Sequence, residues 1–386
     1  MEPVTASGPP TGERVLGSLL ASAVGDALGA PYEFFSREKA LPLLGSDPWI
    51  DDLHEPAHAV VNPHGIWGPH AGRGCGTDDT RYNHLFLDVA ASVGSVPSAA
   101  DLAAEVIRRF ERPDDYYPQR HVKQVRDWLS AWQSVCHGFL GETDPGRPEV
   151  PADVLATMGL SLDYPALTGL LLLASVGLAF PGRAEDAYRA AYRLAFFYIG
   201  YAKDCTALLA ALVAAFAALG GPSPAARAEV VRSILARNPY SLGGPFCRRT
   251  PIAHLQFAVD TAVANGDRPR HLVQELALHF VAFHPFDPIE VLSVAVAAVV
   301  AGDDPATALC IAANHRSLAT DGSFASFRDI DCTAYVAGAM AGALWGAQAV
   351  PVTWADAVRR TTRAEYGIEI DTQAERFCSR VLGDTG

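Results

Sequence analysis

The chain has 386 residues, 49% of them hydrophobic, which is enough to bury one large core. Its formal net charge of −13, with only three lysines, argues against a nucleic-acid partner, because phosphate binding requires basic patches. The longest apolar runs, residues 166–180 and 205–219, are shorter than the roughly twenty residues that a bilayer requires. No membrane partner is therefore expected.

The cysteines and the first residues bear on the cellular compartment. Seven cysteines are scattered without a CxxC pair, which does not indicate a disulfide framework, and a reducing cytoplasm is the simpler interpretation. Residues 1–12 are small and polar, without the basic region and apolar core of a signal peptide. We expect a cytoplasmic protein in which residues 1–12 form a flexible tail.

The first helix is predicted over residues 13–30. Apolar residues recur along it at i, i+3 and i+4, and Pro31 ends it. Its many small residues permit close approach of a neighbouring helix. Asp26 lies inside this helix, where a structural role and a substrate contact are equally open, and Glu33 follows in a loop.

A first acidic cluster, Thr77-Asp78-Asp79-Thr80, stands at the start of a helical pattern over residues 82–91. The Gly-rich and Pro-rich loop 64–76 leads into it, and the GxxxxGK[ST] of a phosphate-binding P-loop does not follow. His64 and His70 in this loop are candidate ligands or substrate contacts, although loop histidines are usually neither.

Helical spacing continues along the chain. It predicts helices over residues 102–110, 122–136, 166–180, 184–197, 204–219, 225–236, 250–265, 271–283, 288–301 and 305–313. Strand alternation is nowhere sustained, so the predicted fold class is all-α. Tyr116 and Tyr117, in a Pro-flanked turn, are able to stack on an adenine ring, although packing is the commoner role for such residues.

A second acidic cluster, Asp329-Ile330-Asp331-Cys332-Thr333, begins a helix predicted over residues 334–347. N-capping and the helix dipole explain one acidic residue at a helix start, whereas each cluster carries two. If the two helix starts meet, four carboxylates converge, and their repulsion requires a cation or raised pKa values. A hard divalent cation suits such oxygen ligands.

Three motifs together resemble the ADP-ribosylglycohydrolase family, of the dinitrogenase reductase-activating glycohydrolase and ADP-ribosyl hydrolase type. They are Gly25-Asp26-Ala27-Leu28-Gly29 with Glu33, then Gly76-Thr77-Asp78-Asp79-Thr80, then Asp329-Ile330-Asp331 leading into Ala337-Gly338. The resemblance implies a compact multi-helix bundle with a metal site at converging helix N-termini. It implies one domain over residues 13–386, with insertions near 112–160 and 314–327.

The resemblance also implies a set of site residues. Two divalent ions, Mg²⁺ or Mn²⁺, are expected on Thr77, Asp78, Asp79, Asp329 and Asp331. Such ions hold the ribose hydroxyls and a water near C1′ of the ribose, where the glycosidic bond breaks through an oxocarbenium-like state. Glu33, Asp78 and Asp331 are the catalytic candidates, and the general base is not assigned among them.

Three departures from the family pattern put the usual substrate in doubt. Cys332 stands where the family usually has Thr or Ser, and a thiol is a poor ligand for Mg²⁺, so one ion is expected to be weaker, replaced by a softer ion or absent. Thr333 lies about 100° further round the helix and cannot substitute. Residues 168–177 and 198–205 lack the family's usual polar and His-rich motifs, which leaves Lys203 and Asp204 as candidate substrate contacts.

These features favour a metal-dependent hydrolase that cleaves a ribosyl glycosidic bond. Its substrate is expected to be ADP-ribosylated or derived from NAD or ADP-ribose, including a small nucleotide-like metabolite. The alternative is a catalytically weak regulatory protein that binds ADP-ribose or a nucleotide, which Cys332 favours and Glu33 disfavours. A helical scaffold with merely capping acids would leave the clustering unexplained. The expected assembly is a monomer or a small homo-oligomer.

Overall fold

A computed structural model describes residues 11–56, 59, 61–68, 71–155, 167–198, 200–220, 223–237 and 251–383. Over these residues the protein is an all-α bundle, as predicted. Its α-helices include α1 (Thr11–Gly29), α2 (Arg37–Leu44), α3 (Asp78–Val93), α4 (Ala99–Glu111), α5 (Val122–Leu140), α6 (Thr168–Leu172), α7 (Ala184–Leu194), α8 (Gly200–Phe216), α9 (Pro224–Ala236), α10 (Pro251–Asn265), α11 (Pro269–His279), α12 (Pro288–Ala301), α13 (Pro305–Ala313), α14 (Ile330–Trp345), α15 (Val352–Tyr366) and α16 (Ile370–Phe377).

Shorter elements join these helices. Short 3-10 helices occupy Pro113–Asp115, Gln119–His121, Ala174–Ala179 and Ala347–Ala349, and a π turn occupies Cys378–Leu382. Two strands, β1 (Arg316–Leu318) and β2 (Phe324–Phe327), pair as an antiparallel hairpin. The pattern of alternation did not predict this hairpin, because each strand is too short to show a period of two.

Local chemistry sets several helix boundaries. α12 and α13 span the predicted residues, because Asp287 and Asp304 cap their first turns and a proline follows each cap. The Asp287 carboxylate accepts a hydrogen bond from Ile289 N at 2.9 Å. α1 begins at Thr11, inside the predicted tail, of which residues 1–10 lie outside the described part of the chain.

Several predicted helices were too long: α7 ends at Leu194 and α11 at His279, before their predicted ends at residues 197 and 283, and the largest error concerns residues 166–180. Residues 166–180 were expected to form a single helix, whereas α6 ends at Leu172 and a 3-10 turn follows. Gly169 and Gly177 lie in this stretch, and a Cβ on either would overlap atoms of α8. Glycine weakens a helix interior. At these two positions it also allows the segment to pack closely against α8.

The centre of the bundle is a direct backbone contact between α1 and α14. Residues Ile330 to Leu344 of α14 are all buried. A Cβ on Gly338 would overlap the carbonyl of Ala21, and a Cβ on Gly25 would overlap the carbonyl of Ala334. Only glycine therefore allows the two helices to approach this closely.

The opposite end of this helix pair is held by a buried arginine. Arg14 of α1 donates to the carbonyl oxygens of Phe216, Leu219 and Ala343, each at 3.1 Å. These carbonyls lie at the C-terminal ends of α8 and α14, where helices leave acceptors without intrahelical partners.

Among the described residues, no helix combines the length and apolar character needed to span a bilayer.

The substitution Gly338→Ala tests the central contact. Its Cβ would meet backbone rather than a flexible side chain, so we expect the free energy of unfolding to fall by about 1–3 kcal/mol or more. Gly12→Ala, at an α1 position with open space around it, serves as the control and should change stability by less than about 1 kcal/mol. Both values come from denaturant titration followed by circular dichroism, and an unchanged midpoint in Gly338→Ala would contradict the close contact.

Candidate active site

Asp26 holds the start of α3 against α1. Its carboxylate accepts hydrogen bonds from Thr77 N at 2.8 Å and Thr77 Oγ1 at 3.0 Å, and from Thr80 N at 3.1 Å and Thr80 Oγ1 at 2.6 Å. Burial raises the pKa of Asp26, and these donors act in the opposite direction by stabilising the carboxylate. Asp26 thus has the structural contacts that the sequence left open, and a substrate contact by it stays a prediction.

The first acidic cluster is the N-terminus of α3. Thr77 is the N-cap, and its hydroxyl accepts from Asp79 N at 3.4 Å. Asp78 is partly exposed, and its Oδ2 lies 2.9 Å from His64 Nδ1. Asp79, by contrast, is buried and turned toward the second cluster. The two aspartates therefore face different surroundings.

Arg81 fixes the loop that covers this helix start. Its Nη2 donates to the carbonyl oxygens of Pro63, His64 and Gly65 at 3.0, 3.1 and 3.0 Å. The guanidinium lies over the ring of Trp67, 4.0 Å from the ring centroid, an attractive cation–π geometry. His64 O in turn accepts from Asp78 N at 2.8 Å.

The second cluster is the N-terminus of α14. Asp329 occupies the N-cap position, and its carboxylate makes no capping hydrogen bond. Its backbone carbonyl accepts from Thr333 N at 3.2 Å and from Thr333 Oγ1 at 2.5 Å. The Thr333 hydroxyl is thus bound to the helix backbone, which agrees with the expectation that it cannot substitute for the Thr or Ser that the family usually has at position 332.

A buried charge network anchors the residue before this cluster. Arg328 pairs with Glu290 and donates to the carbonyl oxygen of Phe283 at 2.9 Å. The other Glu290 oxygen lies 2.6 Å from His315 Nε2. Because Glu290 is fully buried, its charge requires such partners, and the network fixes the chain that leads into Asp329.

The structure brings the two clusters together. One ligand atom each from Asp79, Asp331 and Cys332 lie within 4.8 Å of one another, and so do atoms of Glu33, Asp329 and Asp331. Within the described part of the chain, three buried oxygens of this group have no hydrogen-bond partner: Asp79 Oδ2, Asp329 Oδ1 and Asp331 Oδ1. An unpartnered buried carboxylate oxygen is costly, so the residues fit the divalent ions that the resemblance implies.

The carboxylates of this site have raised pKa values. Burial raises the pKa of Asp79 and Asp331 well above the usual range, and the neighbouring carboxylates raise it further. The pKa of Glu33 is raised in the same way, by burial first and then by the charges of Asp329 and Asp78. Burial raises the pKa of Asp329 to about 6. The group therefore resists carrying its full negative charge without a cation.

A cavity of about 320 Å³ opens above the clusters. It is lined by Glu33, Phe34, Phe35, Lys39, Asn62, His64, Gly65, Asp78, Asp79, Asp331 and Cys332. Phe34, Lys39 and Asn62 were not predicted as site residues from the sequence, and His64 was predicted only as one of two candidate histidines. The Asn62 side chain accepts hydrogen bonds from His64 N and Gly65 N at 2.8 and 2.6 Å. Asn is a common turn residue, but its residue type does not indicate that this turn lies at the cavity.

Phe34 has an unusual conformation at the cavity rim. It has a φ of 55°, in the left-handed region that bulky side chains rarely occupy. Its side chain is 41% exposed and packs edge-to-face on Phe286, with ring centroids 5.2 Å apart. Strained backbone of this kind concentrates at functional sites, and here it follows directly after Glu33.

Two tyrosines proposed for stacking lie outside the lining of this cavity. Tyr117 is buried, and its hydroxyl accepts from Arg109 Nη1 at 2.9 Å. The Tyr116 ring lies 4.5 Å from the same guanidinium. Both therefore pack on α4, and their contact with a base stays a prediction. His70 lies outside the described residues.

The two charged candidates on α8 also lie outside this lining. The Lys203 ammonium is 4.5 Å from the centroid of the Tyr192 ring, and burial lowers its pKa. The buried Asp204 accepts from the Tyr188 hydroxyl at 2.5 Å. These contacts join α8 to α7, and a substrate contact by Lys203 or Asp204 stays a prediction.

Comparison with known proteins agrees with this arrangement. A family model described as ADP-ribosylglycohydrolase matches residues 7–384. A solved structure described as an ADP-ribosylglycohydrolase-related protein complex is similar over 95% of this chain and 97% of that chain, with a TM-score of 0.56 and 18% sequence identity, which shows the fold alone. No curated protein matches the chain. Because the family model covers nearly the whole chain, the protein belongs to the ADP-ribosylglycohydrolase family, whose members act on ADP-ribosylated substrates.

Proposed function

We propose that the protein is a metal-dependent hydrolase that cleaves a ribosyl glycosidic bond in an ADP-ribosylated or ADP-ribose-derived substrate. The observation that carries this proposal is the convergence of Asp79, Asp329 and Asp331, whose buried oxygens lack partners within the described residues. A merely structural cluster would be expected to resemble Asp26, whose carboxylate is satisfied by protein donors.

Both clusters would contribute to one metal site. Asp79, Asp329 and Asp331 would hold divalent ions, with Thr77 and Asp78 beside them. When bound, such ions orient ribose hydroxyls and lower the pKa of a bound water. The partly exposed Asp78, paired with His64, faces the cavity where the substrate would enter.

Glu33 is the proposed site of proton transfer. It lines the cavity, is more exposed than the three buried aspartates, and lies just beyond the end of α1. Burial and neighbouring negative charge raise its pKa, which favours a carboxyl group that can carry a proton near neutral pH. Its carboxyl oxygen would exchange a proton with the leaving group or the attacking water.

A second candidate function is a regulatory protein that binds ADP-ribose without efficient turnover. The thiol of Cys332 beside Asp79 and Asp331 favours it, because a thiol is a poor partner for Mg²⁺. Binding of ADP-ribose is common to both functions, and only the release of product distinguishes them.

Calorimetric titration of ADP-ribose into the metal-stripped protein tests the shared site. We expect binding only with Mg²⁺ or Mn²⁺, and its loss in both Asp78→Ala and Asp331→Ala, because the substitutions remove a carboxylate from either half of the site. Asp127→Ala, at an exposed position on α5, should bind as the wild type does. Equal binding by all variants, or no binding with any metal, would contradict the proposal.

The substitution Glu33→Gln tests the catalytic part. Loss of proton transfer should lower the rate of ADP-ribose release from an ADP-ribosylated protein by about 10²–10⁴-fold, with little change in ADP-ribose affinity at saturating Mg²⁺. Glu38→Gln, on the exposed face of α2, is the matched control. Equal turnover by wild type and Glu33→Gln would exclude this role, and tight binding without turnover by the wild type would favour the regulatory function.

The raised pKa of Asp329 gives a pH dependence. Between the unfolded value of 3.8 and the folded value of about 6, the folded protein holds a proton that the unfolded chain has lost, so stability falls as pH rises through this window. In the absence of metal, the free energy of unfolding of Asp329→Asn should equal that of the wild type near pH 4 and exceed it at pH 7.5 by on the order of 3 kcal/mol. Denaturant titration at both pH values measures this difference, and a metal-free wild type that is the more stable at pH 7.5 would contradict it.

A further inference from the structure

Cys332 lies in the acidic site itself. Its Sγ is 3.3 Å from Asp79 Oδ1, and it shares a 4.8 Å cluster with donor atoms of Asp79 and Asp331. The residue is 8% exposed and lines the cavity. The side chain is therefore positioned as a ligand atom would be, with one side toward the cavity.

A packing role for the thiol leaves the site unsatisfied. A thiol is a weak hydrogen-bond donor, and the hydrogen bond from Cys332 Sγ reaches Asp79 Oδ1 but not Asp79 Oδ2. Within the described residues, Asp79 Oδ2 and Asp331 Oδ1 stay buried without a partner. Two carboxylates and one sulfur thus lie close together, and a cation among them would stabilise the negative charge of the carboxylates.

We propose that Asp79, Asp331 and Cys332 form a three-ligand site for a thiophilic divalent ion of the Zn²⁺ class. Zn²⁺ accepts Cys sulfur and Asp oxygen, and its catalytic sites use three protein ligands with one open position. All three residues line the cavity, which would give solvent or substrate access to such an open position. On binding, the S–H bond breaks, the proton leaves to solvent and a sulfur–metal bond forms, with no change of oxidation state. The inference rests on the proposed function, since this ion would be one of its pair.

The site then combines two kinds of metal position. Asp329 and Asp331, with Glu33 beside them, offer oxygen atoms alone, and these two aspartates suit Mg²⁺ or Mn²⁺. The Cys332 position selects a softer ion, because thiolate ligands favour Zn²⁺ over Mg²⁺. One residue would therefore change the metal requirement of half the site without altering the fold.

Titration of Co²⁺ into the metal-stripped full-length protein tests this site directly. We expect a near-ultraviolet sulfur-to-cobalt charge-transfer band that saturates at one ion per chain and disappears when Zn²⁺ is added. In Cys332→Ser the band should be absent, and Zn²⁺ affinity should fall by at least about tenfold while Mg²⁺ affinity is kept or increased. Circular dichroism checks that the variant is folded.

Other variants make the result specific. Cys310→Ser and Cys378→Ser change partly exposed thiols elsewhere and should keep the band, whereas Asp79→Asn should weaken Co²⁺ binding. A band that persists in Cys332→Ser would overturn the inference. Mg²⁺-dependent ADP-ribose binding by a wild type that shows no band would overturn it too, while leaving the proposed function standing. Absence of binding by any divalent ion would overturn both.

Discussion

The backbone contact between α1 and α14 is the constraint on which the site depends. A Cβ on Gly29, the last residue of α1, would overlap the backbone of Asp331. The end of one helix thus lies directly against the start of the other. Glu33 follows α1 within a few residues, so the same contact brings it beside Asp329 and Asp331. The close approach of two glycine-rich helices sets the geometry of groups that are far apart in the chain.

The buried carboxylates around this contact fall into two groups, those with protein partners and those with an unpartnered oxygen. Asp26 and Glu290 are fully buried and have protein donors or cations on their carboxylates. Asp79, Asp329 and Asp331 are nearly as buried, yet each keeps an oxygen without a partner in the described chain. The N-terminal dipoles of α3 and α14 offset part of the cost, and the rest is a local conflict of the kind expected at functional sites.

The departures from the family pattern have different structural meanings. The Leu-rich stretch that includes Gly169 is core, with Gly169 N donating to the Tyr198 hydroxyl at 3.2 Å. Lys203 and Asp204 join neighbouring helices. Of the departures that the structure describes, Cys332 alone lies among the acidic ligand atoms. The described departures in the middle of the chain therefore make contacts within the scaffold, whereas Cys332 lies in the acidic site itself.

Some features were determined by the sequence alone. Helical spacing predicted the all-α class. The Asp cap before α12 and before α13, with the proline that begins each helix, set where these helices start, because capping acts over only a few residues. The two acidic clusters at helix starts could also be identified from the sequence, because the residues of each cluster are consecutive. Their charge predicted a cation or raised pKa values if the two helix starts meet, and the family resemblance predicted that they do.

Tertiary structure decided the rest. The break after α6 depends on how closely α8 approaches, and the threonine partners of Asp26 lie about fifty residues away in the chain. Phe34 and Asn62, on two separate loops, and Lys39, on α2, come together around one cavity only in the folded chain. The nearness of the Cys332 sulfur to Asp79 depends on the crossing of α3 and α14. Local patterns fix helices and their ends, but the distance between remote segments follows only from how those helices pack.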